Sequence, residues 1–70
     1  MQLDKARRFM RLKEVKHQVG LGRSAIYSKV KTGEFPAPVK LSEGGRAVGW
    51  DSYSIESYIA SRIEAAGGAA

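Results

Sequence analysis

The run "EVKHQVGLGRSAIYSKVKTGEFP", residues 14 to 36, constrains the fold more than any other stretch. Leu12, Val15 and Val19 recur at helical spacing and stop at Gly20, where glycine can take the left-handed conformation that closes a helix. Leu21 puts an apolar side chain in the turn, and Gly22 fills the N-cap position of a second segment that begins at Arg23. Within that segment Ile26 and Val30 lie one turn apart, Ser24, Ser28 and Lys31 cluster opposite them, and Tyr27 stands at the boundary until Gly33 ends the pattern. Two short helices, the first over about residues 13 to 19, joined by three residues, have the form of a helix-turn-helix.

The remainder supplies what packs against this pair. Val39 and Leu41 alternate with Lys40, and Val48 and Trp50 alternate with Gly49, the period of half-buried strands. Between them Ser42-Glu43-Gly44-Gly45 makes a polar turn, so a β-hairpin with its tip at residues 43 to 46 is expected. Asp51 or Ser52 can cap a last helix in which Ile55, Ile59 and Ile63 recur every fourth residue. The expected class is mainly α with a small β-hairpin. A hairpin directly after the second helix is a wing, which makes the architecture a winged helix-turn-helix over residues 12–63. Residues 1–11 would form a basic arm and residues 64–70, "EAAGGAA", a flexible tail without a large apolar anchor. The expected core is Leu12, Val15, Val19, Leu21, Ile26, Val30, Phe35, Val39, Leu41, Val48, Trp50, Ile55, Ile59 and Ile63. Trp50, at a strand end before a helix cap, is expected to anchor the hairpin.

A chain of 70 residues buries only about 60% of the surface its unfolded form exposes, so that core must be small. Without cysteine, neither a disulfide nor a thiolate metal site can supplement it. No apolar run reaches the length of a membrane span. The first residues carry charges where a signal peptide needs its apolar stretch, so a cytoplasmic protein is expected.

Charge points to the partner. Residues 1 to 31 hold nine Lys/Arg against Asp4 and Glu14, a balance of +7, while residues 32 to 70 hold three against five, a balance of −2; together these make the net +5. A one-sided basic surface suits a polyanion, most commonly nucleic acid. On the second helix Arg23, Ser24, Ser28 and Lys31 form the polar face that a major groove could admit, Arg23 being able to read guanine with two hydrogen bonds. Tyr27 either covers the edge of the core or hydrogen-bonds a phosphate. In the arm Lys5, Arg7, Arg8 and Arg11 suit phosphate contacts or a reach into a neighbouring groove. Lys13, Lys40 and Arg46 complete the candidate DNA-binding set with the first helix and the hairpin.

Catalysis finds no such support. His17 is the single histidine, set between Lys16 and Gln18, and the seven carboxylates are scattered without metal-ligand spacing. No enzyme, no cofactor and no metal are expected.

The segments "FMRLKEVKHQVGLGRSAIYSKVKTGEFPAPVKL" and "GGRAVGWDSYSIESYIASRI" together resemble the AlpA family of phage and prophage regulators over about residues 9 to 63. The resemblance rests on the runs at residues 11 to 15, Gly20-Leu21, Arg23-Ser24 with Ile26-Tyr27, Gly33 with Phe35-Pro36, and residues 46 to 50. It implies a winged helix related to MerR-type and excisionase DNA-binding domains, with contacts from the second helix and the wing. The expected function is a sequence-specific transcriptional regulator that binds double-stranded DNA. The alternatives are an excisionase-like factor that bends DNA for an integrase and, in another class, an adaptor for a protein partner; copies of the chain binding adjacent sites are as compatible with the sequence as a dimer, and the resemblance implies action at the bacterial nucleoid. Gly22 stands where the family usually has a capping serine, Tyr53-Ser54 where it often has Ser-Glu, and the tip "SEGG" is longer than usual.

Overall fold

The computed structural model describes residues 6 to 67, so Lys5 and the rest of 1 to 5, like 68 to 70, lie outside the described residues. Six elements follow in order: β1 (Phe9–Met10), α1 (Leu12–Val19), α2 (Arg23–Thr32), β2 (Val39–Lys40), β3 (Val48–Asp51) and α3 (Ser52–Ala65). The domain is mostly helical with a small antiparallel sheet of order β1-β3-β2.

The glycines end the helices as their freedom allows. Gly20 closes α1 at φ 73° and Gly33 closes α2 at φ 85°, both left-handed, their N–H groups donating back to Lys16 and Val30 carbonyls. Gly22 is the N-cap of α2 in an extended conformation and contributes no side-chain bond to the first turn. Asp51 is the N-cap of α3 and accepts the Tyr53 N–H at 3.1 Å, so one residue both ends the last strand and starts the last helix.

Six apolar residues form the buried centre: Met10, Val15, Ile26, Phe35, Trp50 and Ile55. Trp50 is fully enclosed and its indole N–H donates to the Pro36 carbonyl at 2.8 Å, which ties the segment leaving α2 to the central strand. Phe35 stands edge-on against Tyr58 with ring centroids 4.6 Å apart and docks that same segment on α3. Leu12, Val19, Leu21, Val30, Val48 and Ile59 pack around this centre, half-buried.

The sheet departs from the expected two-stranded hairpin. β2 and β3 pair as expected, Val39 with Gly49 and Lys40 with Val48, but β1 adds a third strand, Phe9 opposite Asp51 and Met10 opposite Trp50. The boundary expected at residue 11 therefore falls inside the folded body. Arg8 is bonded through its backbone to Ser52 in both directions, its N–H to Ser52 Oγ at 2.9 Å and its carbonyl from the Ser52 N–H at 2.8 Å. At the other end Glu64 and Ala65, expected in the tail, belong to α3.

Three expected core residues are corrected. Val39 is 43% exposed because its pairing with Gly49 sets it on the sheet face opposite Val48 and Trp50. Leu41, two residues on, lies on the same side beside Gly49 and Phe9, half-buried and outside the buried centre. Ile63 is 54% exposed in the last turns of α3, where every described residue from Ala60 onward is exposed.

Candidate nucleic-acid interface

The second helix separates its residues sharply by environment. Ile26 is fully buried and Val30 half-buried, while Arg23, Ser24, Tyr27, Ser28 and Lys31 are all exposed. Spacings of three and four residues bring these five onto one side of the helix. No carboxylate interrupts α2, and the ion pair that it makes among the described residues, Lys29 with Glu34 at 3.7 Å, lies off this face at the C-terminal end.

Two of the five are held by each other. The Arg23 guanidinium sits over the Tyr27 ring, 5.4 Å from its centroid, and that ring meets Trp50 edge-on at 6.0 Å with an interplanar angle of 63°. Tyr27 is therefore a partly exposed ring at the rim of the core, with Arg23 laid across it. Ser24, Ser28 and Lys31 extend the face with hydroxyls and a cation.

The hairpin that follows carries Lys40 and Arg46, both exposed. Lys40 lies on β2 and Arg46 in the bend between the strands, which the Leu41 N–H closes on the Ala47 carbonyl at 3.0 Å. Among the described residues, Lys31, Lys40 and Arg46 enter no ion pair.

The N-terminal arginines have different surroundings. Arg7 grips Asp51 with two donors, Nε to Oδ1 at 3.0 Å and Nη2 to Oδ2, and its guanidinium also lies 5.0 Å from the centre of the Tyr53 ring. Arg8 likewise grips Glu14, Nη1 to Oε1 at 2.9 Å and Nη2 to Oε2. These forked bonds hold both carboxyls below their usual values. Arg7 and Arg8 thus fasten β1 to the start of α3 and to α1. Arg11, at the N-cap of α1, and Lys13, in its first turn, are exposed at the end of α1 away from the turn into α2.

The carboxylate partners of Arg7 and Arg8 were not visible in the sequence. Asp51 lies 44 residues from Arg7, and the six-residue step from Arg8 to Glu14 is not a helical pairing distance.

Among the described residues no group of three or more His, Cys, Asp or Glu side chains could hold a metal ion, and His17 is exposed on α1. The open groove between the Phe35 segment and α3 is lined by Tyr53, Ser57 and Tyr58 with Glu34 and the paired Arg7 and Asp51. Among the described residues no helix is long and apolar enough to cross a membrane.

The profile of the family described as prophage CP4-57 regulatory protein (AlpA) matches residues 8–63, from just before β1 to near the end of α3. The uncharacterized protein ORF88 of Enterobacteria phage P4 is 45% identical over 56 residues, which cover 80% of this chain and 61% of that protein. The chain thus spans less than two thirds of that relative's length. No solved structure matches significantly.

Proposed function

The chain belongs to the AlpA family of phage regulatory proteins, and on that premise we propose that it binds double-stranded DNA sequence-specifically as a winged helix-turn-helix regulator. The observation that carries the proposal is the carboxylate-free outer face of α2, with Arg23, Ser24, Tyr27, Ser28 and Lys31 exposed together above a buried Ile26.

A major groove is wide enough to admit that helix. Arg23 then reads a base edge, its planar fork matching the two acceptors of guanine, while Ser24 and Ser28 supply adaptable contacts. Lys31 meets the phosphate backbone beyond the groove. Because Gly22 offers no side-chain cap, the first-turn N–H groups of α2 remain available to a phosphate at the positive end of the helix dipole. The β2–β3 hairpin acts as the wing, Lys40 and Arg46 taking phosphate or minor-groove contacts that carry little sequence information. Arg11 and Lys13 add phosphate contacts, whereas Arg7 and Arg8 are already engaged by Asp51 and Glu14. No step here requires catalysis, and the protein acts on DNA in the bacterial cytoplasm.

Salt dependence tests this. Binding to a duplex, followed by fluorescence anisotropy, should weaken linearly in log affinity against log salt, with a slope of about 0.9 for each phosphate contacted. Arg46→Ala should reduce the slope by about 0.9 and weaken every sequence by a similar factor. An affinity indifferent to salt would overturn the proposal and favour an adaptor for a protein partner.

A further inference from the structure

We infer that Tyr27 is a positioning residue for base recognition: its ring is the platform that holds the Arg23 guanidinium in the orientation that reads the groove. The inference deepens the DNA-binding reading above and rests on it.

Three contacts in series carry it. The Arg23 guanidinium lies 5.4 Å from the centre of the Tyr27 ring, close enough for attraction between the cation and the ring face. The Tyr27 ring is in turn braced edge-on against Trp50 at 6.0 Å. Trp50 is fully buried and fixed through its N–H to the Pro36 carbonyl at 2.8 Å. A surface arginine is thereby connected to a fully buried, hydrogen-bonded side chain of the core.

The helix geometry suits the arrangement. Side chains on a helix lean toward its N-terminus, so a ring at position 27 covers the turn that bears position 23. An exposed arginine samples many rotamers, and ordering it on DNA opposes binding. A platform that restricts those rotamers beforehand lowers that cost and favours two-pronged contact at one base. Tyr27 would then contribute through the face of its ring, and its hydroxyl would be dispensable. A tyrosine bonding a phosphate would instead depend on that hydroxyl.

The experiment uses the full chain and a randomised duplex library at fixed salt, below the lowest melting temperature among the variants. The variants are Arg23→Ala, Tyr27→Phe, the ring-free Tyr27→Leu and Tyr27→Met, and the double variant Arg23→Ala/Tyr27→Leu. Tyr27→Phe should keep the wild-type preference. The ring-free variants should lose about 2- to 5-fold of the preference at the base position that Arg23→Ala relaxes, leaving other positions and random duplex unchanged. The double variant should be no less selective there than Arg23→Ala alone, since the ring acts through the arginine. If the ring-free variants kept full preference while Arg23→Ala lost it, the platform would fall and base reading by Arg23 would stand. If Arg23→Ala changed no position, base reading would fall and the platform with it. If Tyr27→Phe lost as much as Tyr27→Leu, the hydroxyl would be the contact and the platform would be wrong.

Discussion

Replacing Trp50 by phenylalanine tests the joint on which the arrangement of α2 and the hairpin depends. Trp50 has no exposed surface, and its N–H donates to the Pro36 carbonyl at 2.8 Å. Phenylalanine lacks that donor, a loss of about 1 kcal/mol for an ordinary hydrogen bond. It also removes about two buried carbons' worth of ring, roughly 1.5 kcal/mol at about 0.8 kcal/mol each. The sum is about 2–3 kcal/mol. A chain of 70 residues has a total stability of about 3.5–10 kcal/mol at roughly 0.05–0.15 kcal/mol per residue, so the variant should fold with much of its margin gone. At about 4–8 °C for each kcal/mol, the melting temperature should fall by about 8–24 °C. Thermal melts by far-ultraviolet circular dichroism measure this directly, since the substitution removes the protein's single tryptophan as a fluorophore. A melt within about 3 °C of wild type, equally cooperative, would refute both the burial of the ring and its bond to Pro36.

Gly49→Ala should destabilise by about 1–3 kcal/mol in urea unfolding, because a β-carbon there would lie 3.2 Å from Phe9 Cβ and 3.3 Å from both Leu41 Cδ2 and the Met10 carbonyl. Ile55→Ala should cost about 2–5 kcal/mol, whereas Ile63→Ala, at a side chain 54% exposed, should stay within about 0.5 kcal/mol; equal losses at the two sites would contradict the exposure of the end of α3. The pairing of Arg8 with Glu14 and of Arg7 with Asp51 lowers both carboxyl pKa values, so their stabilisation is complete above the unfolded carboxylate pKa of about 4 and is lost as pH falls through the lower folded values. Melting temperatures should therefore hold down to about pH 5 and decline below about pH 4, less steeply for Asp51→Asn than for wild type; identical pH profiles would show that the Asp51 pair contributes nothing.

The helices were legible because their boundaries are written locally. Gly20 and Gly33 sit where the periodic apolar pattern stops, and both adopt the left-handed conformation that a residue with a side chain resists. Asp51 caps α3 through its own carboxylate two residues from the N–H that it accepts. Trp50 could be placed in the core from its position between a strand and a cap, and it is fully buried. β1 offered no such signal. Two residues between Arg8 and Arg11 are too few for an alternation, and the strand exists because Phe9 and Met10 meet Asp51 and Trp50 some forty residues later. The same distance hid the partner of Arg7. Val39 misled for a related reason: alternation shows that a strand has two faces, but only the register with β3 decides which face is covered. On the candidate interface, the composition of the α2 face was readable from spacing alone. The placement of Arg23 across Tyr27, and of Tyr27 against Trp50, depends on side-chain packing that spacing does not specify.

Backbone amide chemical shifts recorded during titration with a selected duplex test the central claim most directly. The largest changes should fall on Arg23, Ser24, Tyr27, Ser28 and Lys31 of α2 and on Lys40 and Arg46 of the hairpin, with the seam between Arg8 and Ser52 and the exposed side of α3 little altered. Changes concentrated on α3 and on the groove beside Phe35 and Tyr58, with α2 unperturbed, would contradict the assignment of α2 as the element that enters the DNA.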